Sequence, residues 1–126
     1  MGYDLYGREP TSPAGTYFRR DRLSWPLLVY LCLNFATSEA RPCRHWLTND
    51  GDGLDAAQSV KLAGRLERVL SDGVVARYLA HVRTADPASA EFIQESDVHL
   101  FVAFLKDCKT QSYAQLPEAE VRTSCL

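Results

Sequence analysis

Asp55-Ala56-Ala57-Gln58-Ser59-Val60-Lys61-Leu62-Ala63-Gly64-Arg65-Leu66-Glu67-Arg68-Val69-Leu70-Ser71-Asp72-Gly73 is the stretch that decides the fold class. Leu62, Ala63, Leu66, Val69 and Leu70 recur at helical spacing and share one face, while Lys61, Arg65 and Arg68 take the other. Asp55 with Gln58 three residues on reads as a capping box, supplying acceptors and donors at the turn where the first helical N–H groups have no partner. Gly73 is placed to end the helix. A second amphipathic run starts almost at once, with Val75, Tyr78, Leu79 and Val82 at i, i+3, i+4 and i+7, and Asp86-Pro87 stops it. So short a connection predicts a tight helical pair.

Two further helices follow from the same criterion. Upstream, Ser24 can cap a helix whose first turn accepts Pro26 and whose apolar residues Leu27, Leu28, Tyr30, Leu31, Leu33 and Phe35 run on to about Ala40. It is apolar nearly all round, which predicts a central element covered on most sides. Downstream, a helix from Ser96 or Asp97 to Cys108 carries Val98, Phe101, Val102 and Leu105 as its core stripe, with Leu100 and Phe104 on a different side. That second apolar face packs against the tail through Tyr113, Leu116 and Val121 or meets another molecule. Tyr3 and Leu5 alternating with Asp4 and Tyr6 predict a short strand, and Ala90 to Glu95 is a candidate strand to pair with it. Residues 7–15, with Pro10 and Pro13, read as a turn-rich connector. The expectation is a mainly α fold: a compact bundle of about four helices, with one or two short β-strands near the N-terminus and before or after the last helix.

A chain of 126 residues is expected to form one globular domain, residues 1–126, with a single core. Its net charge of −2 and 46% hydrophobic content give no bulk attraction to nucleic acid or anionic lipid. Cys32, Cys43, Cys108 and Cys125 are scattered, with no CxxC pair, and Cys43-Arg44-His45 lacks further ligands at zinc-site spacing. Reduced thiols and a cytoplasmic location are the expectation. Arg19, Arg20 and Arg22 ahead of the apolar run Trp25 to Leu33 imitate the order of a secretory signal, but the basic segment starts late, behind patterned residues that include Asp4 and Glu9.

The polar run Thr48-Asn49-Asp50-Gly51-Asp52-Gly53-Leu54-Asp55 is the chief candidate for ion chemistry. With Gly53 at the sixth position of a calcium loop, Asp52 and Asp50 supply two carboxylates, but Thr48 stands first and Ser59 occupies the place of the closing Glu. Turn chemistry accounts for the same residues without an ion, because Gly51 and Gly53 permit positive φ and Asp side chains bond their own backbone. A calcium or magnesium site on Asp50, Asp52 and Asp55, in a metal-binding protein or a metal-assisted hydrolase, stays open as the alternative; otherwise no cofactor is expected. His81 and His99 read as surface residues, and no nucleophile elbow, P-loop or dinucleotide glycine pattern is present. Arg19, Arg20 and Arg22, flanked by Tyr17, Phe18 and Trp25, are the best candidates for a polar contact, against the alternative of a solvated helix start neutralised by Asp21.

Several separated blocks together carry a likeness: Met1-Gly2-Tyr3-Asp4-Leu5-Tyr6-Gly7 with Pro10-Thr11, Tyr17-Phe18-Arg19, Pro26-Leu27, Asn49-Asp50-Gly51-Asp52-Gly53-Leu54, and Asp97-Val98 with Phe101-Val102-Ala103-Phe104-Leu105-Lys106-Asp107-Cys108. In these the chain resembles a group of small bacterial and phage proteins of uncharacterised activity. It departs from that group in having Arg22-Leu23-Ser24-Trp25 where a tryptophan-rich segment is usual, and in lacking a cysteine-bearing insertion before the last helix. The resemblance implies no activity; a phage or prophage setting would suit a modulator of a host system. The reading that follows is a small, non-catalytic protein-binding or regulatory module. Its candidate partner contacts are Arg19, Arg20, Arg22, Trp25, Leu100 and Phe104, and neither nucleic acid nor membrane is an expected partner.

Overall fold

The computed structural model describes residues 2–7, 12–42, 46–47 and 53–107, together with the backbone of 113–116. The chain is mainly helical, as its periodicity requires. In order it forms β1 (Gly2–Gly7), a 3-10 turn (Pro13–Gly15), β2 (Tyr17–Asp21), α1 (Ser24–Phe35), α2 (Thr37–Ala40) and β3 (Gly53–Leu54). There follow α3 (Ala56–Ser71), α4 (Val74–Ala85), α5 (Pro87–Ala90), α6 (Glu95–Asp107) and β4 (Tyr113–Leu116).

The α3–α4 pair matches its pattern. Asp55 accepts from the Gln58 amide at 2.8 Å while the Gln58 side chain accepts from the Asp55 amide at 2.9 Å, so both halves of the capping box form. Gly73 sits at φ 75°, a left-handed conformation that opposes a Cβ, and this lets α4 start without a linker. Leu62, Ala63, Leu66 and Val69 of α3, Val75 and Leu79 of α4, and Val98, Phe101, Val102 and Leu105 of α6 are all buried in one hydrophobic cluster. Each large side chain removed from water there stabilises the fold by roughly 1.5–3 kcal/mol.

The N-terminal half departs from expectation in four places. First, the sheet has four strands, all antiparallel, in the order β2-β1-β4-β3. β2 was hidden because Arg19, Arg20 and Asp21 break the alternation, and Phe18 is its one buried residue. Second, the helix expected to reach Ala40 divides at Ala36, whose backbone leaves the helical region at φ −137°, ψ 45°. The Phe35 carbonyl released there accepts from Arg65 Nε at 3.0 Å. Third, α1 is not covered on most sides: Tyr30 and Leu33 stay exposed while Trp25, Leu28, Val29, Leu31 and Cys32 are buried. Fourth, Asp21 and not Ser24 serves the start of α1, its Oδ1 accepting from the Leu23 and Ser24 amides at 2.9 and 2.7 Å.

No strand forms across Ala90 to Glu95. Asp86 caps a short helix by accepting from the Ser89 amide at 3.4 Å and also accepts from the Ser89 hydroxyl at 2.6 Å, Pro87 occupies the first turn, and α6 begins at Glu95. The strand that does accompany the last helix is β4, which follows it and pairs with both β1 and β3. Between sheet and helices lies an aromatic cluster. The Phe18 ring lies 5.1 Å from Phe101 and 5.9 Å from Phe104, and Trp25 is edge-on to Trp46 at 5.5 Å and to Phe101 at 5.8 Å. The Trp25 indole N–H donates to the Trp46 carbonyl at 2.7 Å, so its one polar atom is satisfied inside. Gly15 brings the connector onto α6: a Cβ there would lie 2.1 Å from Asp107 Oδ2.

Candidate functional site

The antiparallel register sets Asp4 opposite Arg19 and Leu5 opposite Phe18. Leu5 and Phe18 join the core, and on the other face of the ladder Arg19 Nη1 reaches Asp4 Oδ1 and Oδ2 at 2.7 and 2.8 Å. The Tyr17 hydroxyl donates to the same carboxylate. Asp4 is fully buried. A buried carboxylate is tolerable only with such partners, because moving it out of water unpaired is costly. The bond to Asp4 raises Arg19 further above its already high range. The Tyr17 hydroxyl is pushed up to about 12, first by loss of solvent and then by donating to Asp4.

Arg20 points the other way along the strand. Its Nε lies 2.9 Å from Asp97 Oδ1 near the start of α6, and its guanidinium carbon stands 4.4 Å over the Phe18 ring. Asp97 Oδ2 also accepts from the Gln94 amide at 2.7 Å, which anchors the carboxylate at the first turn of α6. Arg22 is exposed, with no hydrogen bond or ion pair among the described residues.

These residues border a groove of about 250 Å³ between β2 and α6, lined by Ala14, Tyr17, Phe18, Arg19, Arg20, Leu100 and Ala103. Leu100 is 57% exposed and Tyr17 42%. The fold thus brings Arg19, Arg20 and Leu100 together, although 80 residues separate Arg20 from Leu100 in the chain. It does not bring Trp25 or Phe104 to the surface: both are fully buried in the aromatic cluster, so neither is a contact. Phe104 fills the space beneath Phe18, which leaves Leu100, one turn earlier, as the exposed member of the second apolar face of α6. Asp4, Asp97, Ala14 and Ala103 were not singled out from the sequence. Only the strand register and the seating of α6 against β2 place them here.

Asp55 Oδ1 is used as the cap acceptor of α3, and Asp50 and Asp52 lie outside the described residues. Among the described residues no group of three or more His, Cys, Asp or Glu side chains converges. Cys32 is fully buried, and its thiol is pushed up to about 12 by desolvation, which suppresses the reactive thiolate. Cys43, His45, Cys108 and Cys125 lie outside the described residues, and His81 and His99 are exposed. No helix among the described residues is long and apolar enough to cross a membrane.

No protein-family model matches the chain, and neither the curated proteins nor the solved structures give a match. Function has to be read from the chemistry of the groove itself.

Proposed function

We propose that this chain is a non-catalytic protein-binding module with a regulatory role, and that the groove between β2 and α6 receives the partner. The observation that carries this is Leu100, more than half exposed beside an apolar floor of Phe18, Ala14 and Ala103. An exposed leucine over a preformed apolar recess favours an apolar anchor from a partner. Arg19 and Arg20 frame the recess, but their charge is largely spent on Asp4 and Asp97. They therefore offer hydrogen-bond donors at the rim rather than a polyanion site. Tyr17 holds its proton more tightly than a free tyrosine does, the opposite of what a general acid or base working near neutral pH requires.

Two experiments in sequence test the reading. Affinity capture from a native host is run with the wild-type chain and with Leu100→Glu; a companion retained by the first and lost by the second is then measured against both purified chains. Leu100 is exposed enough for the variant to keep its melting temperature. Equal binding of every companion by both chains would refute the groove as the contact. The alternative, a divalent cation on Asp50, Asp52 and Asp55, has its own test in calorimetric titration with calcium and magnesium. Saturable binding lost in Asp52→Asn would favour it, with Asp55 taking part through Oδ2 while Oδ1 keeps the cap.

A further inference from the structure

We infer that a second groove, between α2 and α3, is an anion site for a small soluble ligand carrying a diphosphate or longer phosphate chain. It is an open recess of about 390 Å³ lined by Glu39, Lys61, Gly64, Arg65 and Arg68. On α3, Lys61, Gly64, Arg65 and Arg68 stand at i, i+3, i+4 and i+7, so they share one face. Three cations thus face one carboxylate. Like charges one turn apart repel, and neither Lys61 nor Arg68 has an ion-pair partner among the described residues. Glu67, the acid nearest in sequence to Arg68, turns to Lys106 on α6 at 3.2 Å.

Arg65 is pre-set for recognition. Its Nε donates to the Phe35 carbonyl at 3.0 Å, which fixes the guanidinium at the break between α1 and α2 and leaves its terminal nitrogens for a ligand. A planar fork held this way suits two oxygens of a phosphate group, and Lys61 and Arg68 on either side suit charge spread along a chain of them. Gly64 supplies the room: a Cβ built there meets nothing within 4 Å. The recess is about the size of the smaller ligand sites, for which roughly 300 Å³ is the lower bound.

The test is calorimetric titration of the full chain with inorganic pyrophosphate, at constant ionic strength, in wild type and four variants. Wild type is expected to bind one equivalent. Lys61→Gln and Arg68→Gln should each weaken binding about tenfold, the scale of one charge-assisted hydrogen bond. Glu39→Gln should tighten it by removing the opposing charge. Gly64→Leu should abolish binding by filling the recess, and circular dichroism should show its helices intact because the side chain enters open space. Absence of saturable binding in wild type would overturn the proposal. So would binding that Gly64→Leu leaves unchanged, which would mark general attraction to a basic helix face.

Discussion

The groove beside β2 and the groove beside α3 both carry guanidinium groups, and the two treat them in opposite ways. In the first, Arg19 is clamped to a buried Asp4 and Arg20 to Asp97, so the arginines are parts of the fold and the opening between them is apolar. In the second, Lys61 and Arg68 have no ion pair among the described residues, Arg65 is held through a backbone carbonyl, and a single Glu39 stands opposite. On the two proposals above, similar side chains therefore serve opposite kinds of ligand. What separates them is where the carboxylates lie, and that depends on strand register in one case and helix face in the other.

The largest expected contrast lies in what the arginines do for stability. Replacing Arg19 by Met leaves the Asp4 carboxylate buried without the Nη1 that bonds both its oxygens, and should lower unfolding free energy in urea by about 3 kcal/mol. Arg68→Met should stay within about 0.5 kcal/mol of wild type, because that side chain is exposed and unpaired among the described residues. Equal effects would erase the distinction between the grooves.

Next in size, Asp97→Asn should cost about 1 kcal/mol, since the Arg20 pair and the Gln94 amide bond are both only partly shielded from water. It should also give the β2 groove a measurable affinity for pyrophosphate that wild type lacks there, followed by chemical-shift changes at Tyr17 and Leu100. The glycines sharpen the contrast further. Gly64→Ala adds a Cβ in open space within a helix and should raise stability by about 0.5–1 kcal/mol in thermal melts, whereas Gly15→Ala drives a Cβ into Asp107 and should lower it.

The smallest effect is on pH dependence. Because the folded-state pKa of Tyr17 lies above its ordinary value of 10.0, its contribution to stability is complete below pH 10.0 and is lost as pH rises through about 12. The side chain is partly exposed, so the slope should be shallow. Ultraviolet titration of tyrosinate should show a high midpoint in wild type, lowered in part in Asp4→Asn, which removes the bonded carboxylate but not the burial.

Much of the helical framework is legible in the sequence. Leu62, Leu66 and Val69 repeat at a period that only a helix turns to one side, and the Asp55–Gln58 box and Gly73 mark its ends through groups no more than three residues away. β2 was illegible because its arginines look like a solvated charge cluster until Asp4 and Asp97 are known to stand against them. Trp25 and Phe104 misled for a related reason. Both were read with the cluster and face they adjoin in sequence, yet the packing of Phe18, Trp46 and Phe101 around them makes them interior.

By itself, then, the sequence determined α3 with its Asp55–Gln58 box and Gly73, and the core stripes of α3, α4 and α6, because local hydrogen bonding and periodicity act over a few residues. The tertiary structure alone decided which arginines are neutralised, which of Leu100 and Phe104 meets water, and that a glycine on α3 opens a recess between three cations. Those outcomes depend on partners far away in the chain, 15 positions for Asp4 and Arg19, 77 for Arg20 and Asp97 and 86 for Phe18 and Phe104, and burial and charge pairing respond to distance in space rather than to distance in sequence.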